Sequence, residues 1–148
     1  MRLVALCFAT ILFLSACSGE HASTENGSTD RSAIDEAKTA ILSSLRDPDS
    51  ARFSFVEINS MGIVCGSVNS KNGFGGYVGF AGFWYDPRTR EAFLYDPTQS
   101  SADKAYDALL FDRKGCSIGS EHEGWLRTAK MINESNRKAG LAPIGPDQ

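Results

Sequence analysis

Apolar positions recur along this chain at two spacings, and the change from one to the other outlines a mixed fold. Between Ser32 and Arg46, the residues Ile34, Ala37, Ile41 and Leu45 share one helical face, with Asp30 or Ser32 as N-cap candidates and Asp47-Pro48 as the stop. Phe53 to Ile58 and Met61 to Asn69 read as strands joined by a turn at Asn59-Ser60. Phe83 to Tyr95 reads as a hairpin, with Asp86-Pro87 opening a type I turn. Helical spacing returns weakly over Asp103 to Phe111, through Ala105, Leu109 and Leu110. It returns clearly over Glu121 to Lys138, where Trp125, Ala129 and Ile132 fall at i, i+4 and i+7. The order helix, four strands, helices predicts an α+β domain with a mostly antiparallel sheet.

The first residues follow another pattern. Leu3 to Phe13 is continuously apolar behind Arg2, but it falls short of the roughly 20 residues that span a bilayer of about 30 Å. Ser18 to Asp30 has one Ala as its only apolar side chain, so it cannot bury surface to offset the entropy of ordering and reads as a flexible tether. Such a tether spans roughly 20 Å on average and roughly 45 Å when stretched. Residues 31–148 are the size of one domain with a single core.

Leu14-Ser15-Ala16-Cys17, directly after the apolar run, resembles the cleavage box of bacterial lipoprotein signal peptides. The resemblance implies that residues 1–16 are a signal peptide and that Cys17 is lipidated, becoming the first residue of the mature chain. Residues 17–30 would then be the acylated cysteine and tether of the domain at 31–148. Each buried acyl methylene contributes about 0.8 kcal/mol, so two or three chains anchor stably. Ser18 is not the Asp that marks inner-membrane retention in many enterobacterial lipoproteins. In a Gram-negative host the resemblance therefore implies anchoring at the outer membrane, on its periplasmic or surface face.

Loss of the leader removes Arg2 and leaves 14 basic against 18 acidic residues, a net side-chain charge of −4, which argues against a nucleic-acid partner. It also changes the cysteine count. Cys7 leaves with the leader and Cys17 is taken by lipid, so Cys65 and Cys116 remain as the two thiols of an oxidising compartment and are expected to pair. A redox or nucleophilic cysteine and a two-ligand metal site are the alternatives, although the chain has no Cys-x-x-Cys.

A second resemblance rests on Asp47-Pro48-Asp49-Ser50-Ala51-Arg52-Phe53 and on Val64-Cys65-Gly66-Ser67-Val68-Asn69-Ser70-Lys71-Asn72-Gly73-Phe74-Gly75-Gly76-Tyr77-Val78-Gly79-Phe80. These segments are similar to a signature of small uncharacterised bacterial secreted proteins and lipoproteins. The similarity covers about residues 34 to 95 and implies a fold unit and an address, with no catalytic residue to carry over.

The remaining motifs point away from catalysis. Gly73-Phe74-Gly75-Gly76-Tyr77-Val78-Gly79 misses the Gly-x-Gly-x-x-Gly spacing and lacks a following Gly-Lys-Ser/Thr, so its glycines serve the backbone. The domain has one histidine, His122, between Glu121 and Glu123. These neighbours diverge on a helix and read as an exposed helix start. Asp86, Asp96, Asp103, Asp107 and Asp112 could supply the carboxylate pair of a glycosidase, but turn and cap duties explain them more simply. The band Phe74, Tyr77, Phe80, Phe83, Trp84, Tyr85, Phe93 and Tyr95 has the composition of a sugar- or peptide-binding platform. Alternation puts Tyr77, Phe83 and Tyr85 on one face of the sheet and Phe80 and Trp84 on the other.

The expectation is a lipid-anchored, non-enzymatic binding domain without metal or cofactor. Its expected partner, beyond the membrane held through Cys17, is another envelope protein or cell-wall glycan. Asn69, Lys71, Asn72 and Tyr77 are the expected binding residues, since amides and a cation beside flexible glycines suit polar recognition in a loop; the alternative is that Asn69 and Asn72 cap a turn and Lys71 is a solvated charge. The rivals are a small cell-wall hydrolase with an Asp pair and an immunity or inhibitor lipoprotein.

Overall fold

The computed structural model describes residues 24–145, so the leader and Cys17 lie outside the described residues. Helix α1 (Thr24–Ser44) precedes strands β1 (Arg52–Ile58), β2 (Val64–Asn69), β3 (Ala81–Asp86) and β4 (Glu91–Leu94), and helices α2 (Ser101–Arg113) and α3 (His122–Lys138) close the chain. The sheet order is β1-β2-β3-β4 with every neighbour antiparallel, the α+β arrangement expected from the pattern.

The sheet is covered on both faces. Ala37 and Ile41 of α1 pack with Val64, Val68, Phe83 and Tyr85, while Ile34, Leu45, Phe53, Val56 and Ile58 close the edges of that cluster. The other face carries Ile63, Trp84, Tyr95, Ala108, Phe111, Cys116, Ile118 and Leu126 beneath α2 and α3. Phe83 and Tyr85 therefore face α1 and Trp84 faces the helical pair, which makes both faces of β3 core. Tyr77 and Phe80 precede β3 and lie outside every strand, so the expected alternation does not extend to them.

Helix α1 begins earlier than the polar composition suggests. Residues 24–30, expected in the tether, are helical, although Gly27 to Ser32 are exposed and add nothing to the core. Once the packed turns have nucleated a helix, each further residue costs little, so the helix runs on beyond its buried face. At the other end, the hydroxyls of Ser43 and Ser44 donate to the carbonyls of Ala40 and Ile41, and Pro48 prevents continuation.

Two glycines are required by contact. A Cβ on Gly66 would stand 2.6 Å from Cζ of Phe83, its cross-strand partner, and one on Gly82 would stand 2.9 Å from Cα of Ile118. The second contact shows how closely the segment after α2 lies on the sheet. A disulfide joins Cys65 of β2 to Cys116 of that segment, with Cα atoms 5.5 Å apart. In the chain-entropy model such a link, closing about 50 residues, contributes roughly 4 kcal/mol.

Candidate functional site

Among the described residues two other than glycine take a positive φ, Arg90 at the β3–β4 turn and Phe55 within β1. The run Phe53-Ser54-Phe55-Val56-Glu57-Ile58 conflicts with a regular strand, since strict alternation would send Glu57 into the α1 core with Phe53 and Phe55. A β-bulge resolves the conflict. Ser54 pairs with Ser67 and Glu57 with Cys65, so Phe55 and Val56 together oppose Gly66. Val56 and Ile58 thereby join Phe53 against α1, and Glu57 turns to the opposite face.

Phe55 is the residue displaced by this shift. Its φ is 52°, in the left-handed region that bulky side chains seldom adopt, and its side chain is 88% exposed. A phenylalanine that is both strained and turned to water marks a place where the fold gives up stability.

Phe55 stands at the rim of a groove of about 550 Å³, within the size range of small-ligand and peptide-segment sites. Cys65, Gly66, Ser67 and Gly82 form the strand side and the segment 115–119 forms a wall, with the disulfide among the lining atoms. Ser54, Phe55 and Glu57 make the β1 rim, and Phe80, also exposed, lines the groove from the loop before β3. Glu57 is the single charged residue of the lining. The Ser67 hydroxyl is engaged, donating to the Ser54 carbonyl at 3.2 Å.

The four residues singled out from the sequence do gather in one place, the loop leading to Phe80, but most of their polar atoms shape the loop. Oδ1 of Asn72 accepts from the amides of Phe74 and Gly76, and Oδ1 of Asn69 accepts from Gly79. The Lys71 amide donates to the Ser50 hydroxyl, and the Tyr77 hydroxyl donates to the Ser50 carbonyl. The Tyr77 ring lies beneath the Arg52 guanidinium at 4.4 Å and the Lys71 ammonium at 5.8 Å. Gly75 and Gly79 take the positive φ angles of the loop, which leaves Phe74 wholly exposed at its tip.

The acidic residues from Asp86 to Asp107 have different hydrogen-bond partners, although Asp103 and Asp96 lie close enough to Asp107 to add to the rise in its pKa. Asp86 is buried, accepts the Arg88 side chain through both oxygens and meets Lys114 at 3.2 Å. The Arg88 hydrogen bonds and the Lys114 ammonium hold its carboxyl far below the usual range. Lys114 also lies over the Trp84 ring at 4.5 Å, so this pair joins the hairpin to the end of α2. Asp96 is lowered by the hydroxyl and amide of Thr98, and Asp103 takes the Ser100 hydroxyl and lies in the first turn of α2. Asp107 is buried beside Gln99, and desolvation pushes its carboxyl up.

His122 is buried at the start of α3, where an exposed residue was expected. It faces inward one turn before the buried Leu126, so the helical period that buries Leu126 also buries His122. Its Nε2 stands 4.0 Å from the Asp112 carboxylate. Among the described residues, no group of three His, Cys, Asp or Glu is placed to hold a metal ion, and no helix is long and apolar enough to cross a membrane.

Sequence reasoning missed the Phe55 bulge, although its signal was present in the misplaced Glu57. No protein-family model, curated protein or solved structure matches the chain.

Proposed function

We propose that this chain is a lipid-anchored cell-envelope protein whose domain binds a partner in the groove between β1 and the segment 115–119. The reading is carried by one observation: Phe55, held in a left-handed bulge and exposed to water, borders the groove that Phe80 also lines. Exposed rings beside a concave surface provide apolar contact at small entropic cost, because each has only two side-chain torsions to order. The loop from Asn69 through Lys71, Asn72 and Tyr77 enters this reading as the support that presents Phe80. Binding fits the groove better than hydrolysis, since the lining has one carboxylate where the glycosidase mechanism uses two.

The anchor is Cys17 in this proposal, by the resemblance of the residues before it to a lipoprotein cleavage box. With α1 starting at Thr24, the seven residue steps from Cys17 allow a reach of at most roughly 25 Å, so the domain works close to its membrane. Partner and domain therefore meet within the envelope. An outer-membrane position belongs to the same proposal for a Gram-negative host.

The test is to replace Phe55 and Phe80 together by Ala and compare recovery of a crosslinked partner from intact envelopes. Loss of the adduct with an unchanged unfolding transition supports the groove, and an undiminished adduct rejects it. Radioactive fatty acid incorporated by wild type and not by Cys17→Ser supports the anchor; absence of label in wild type rejects it.

A further inference from the structure

Resting on that reading of the groove, we infer that its occupant is a basic segment of an envelope protein, with a lysine or arginine side chain laid across Phe55 and Phe80 toward Glu57. The charge of the lining directs the choice. Glu57 is its one ionisable side chain other than the disulfide-bonded Cys65 and Cys116, and it joins none of the ion pairs among the described residues. Arg52, the cation of β1, is turned onto the Tyr77 ring, and Lys114, next to the wall, is held by Asp86, so neither neutralises the groove from within.

Two exposed rings and an unpaired carboxylate form a surface suited to a cation on an aliphatic stem. The methylenes of lysine or arginine cover the rings, the ring faces attract the positive charge, and the carboxylate receives it. An acidic ligand would meet only repulsion. A neutral glycan would stack on the rings but leave Glu57 without a charge partner.

A peptide rather than a small amine fits the surroundings. The groove lies over Cys65, Gly66 and Ser67 of β2, with the β1 rim of Ser54, Phe55 and Glu57 on one side and the wall 115–119 on the other. Its volume of about 550 Å³ exceeds what one amine-bearing side chain fills, so the neighbouring residues of a segment lying between rim and wall are needed to occupy it.

The experiment uses the full chain in detergent and three fluorescent peptides, rich in Thr and Val, that differ at one central position: lysine, norleucine or glutamate. An N-acetylglucosamine oligomer serves as the glycan probe, and amide NMR shifts report where each probe sits. The lysine peptide is expected to bind about tenfold more tightly than the norleucine peptide, as one exposed ion pair and one cation–π contact allow, and the glutamate peptide more weakly still. Glu57→Gln should reduce the preference for lysine over norleucine to about threefold, the part the rings supply, without moving the unfolding transition, and added salt should narrow the difference in wild type. Equal affinity of lysine and norleucine in wild type, or shifts at the groove from the glycan alone, would overturn this inference and leave the groove as a binding site. Shifts from the peptides confined to other surfaces would overturn both.

Discussion

Phe55 gives the sharpest test of how β1 is built, because the sign of one comparison depends on the bulge. In a regular strand Gly is less stable than Ala by roughly 0.5–1 kcal/mol, since it loses more backbone freedom on folding. At a left-handed position an L residue carries a penalty of about 1–2 kcal/mol that Gly escapes. With φ at 52° the penalty outweighs the entropy, so Phe55→Gly should be more stable than Phe55→Ala by about 0.5–1 kcal/mol. Both variants lose the same ring, and with the side chain 88% exposed that ring contributes little burial, so the comparison isolates the backbone. Guanidinium unfolding followed by the fluorescence of the buried Trp84 reads the difference directly. In a thermal scan it corresponds to a gap of roughly 2–4 °C. If Ala is the more stable of the two, the bulge is wrongly placed and the groove loses its rim.

Asp86 is more acidic in the folded chain than in the unfolded one, so its contribution is complete above the unfolded pKa of about 4 and is lost as pH falls toward the folded value. Asp86→Asn should therefore cost about 3 kcal/mol at pH 7, and stability curves of variant and wild type should converge in strong acid. Asp107 has the opposite sign: its folded pKa is raised, so the charged form opposes folding above pH 4. Asp107→Asn, which can still accept from Gln99, should be more stable than wild type by about 0.5–1 kcal/mol at pH 7 by urea titration, with the gain vanishing below the unfolded pKa. Reduction of the Cys65–Cys116 bridge should lower stability by roughly 4 kcal/mol, and alkylation read by mass spectrometry should find no free thiol at either position until a reductant is added.

Residues whose environment repeats with their element were legible from the sequence. The α1 face of Ile34, Ala37 and Ile41, the opposed directions of Phe83 and Trp84, and the hairpin opened by Asp86-Pro87 all follow from periodicity or turn chemistry. Pairing of Cys65 with Cys116 followed from counting thiols, on the expectation that a leader and a lipid take the other two. The candidate site was less legible because a break in periodicity defines it. A one-residue shift in β1 exchanges the faces of everything after it, and Phe55, which reads as a core residue by composition, becomes the most exposed ring of the strand. Asn69 and Asn72 were found as loop residues with turn capping as the alternative to binding: Asn72 accepts from the Phe74 amide two residues on, a local turn pattern, whereas the Asn69 contact with the Gly79 amide spans ten residues and no local pattern reveals it. His122 was misread for a related reason: its charged neighbours suggested water, whereas the helical period that buries Leu126 also turns His122 inward.

The central claim is that the groove beside Phe55 meets a partner in the envelope. A photoreactive phenylalanine analogue placed at position 80 tests it most directly, because that ring lines the groove without bearing the strain of the bulge. Irradiation of intact cells is expected to give a discrete adduct from position 80 and none from the same analogue at Arg137, an exposed position on α3 outside the groove lining. The adduct should disappear when Phe55 is also replaced by Ala. Equal labelling from both positions, or an adduct that persists without Phe55, would contradict the account.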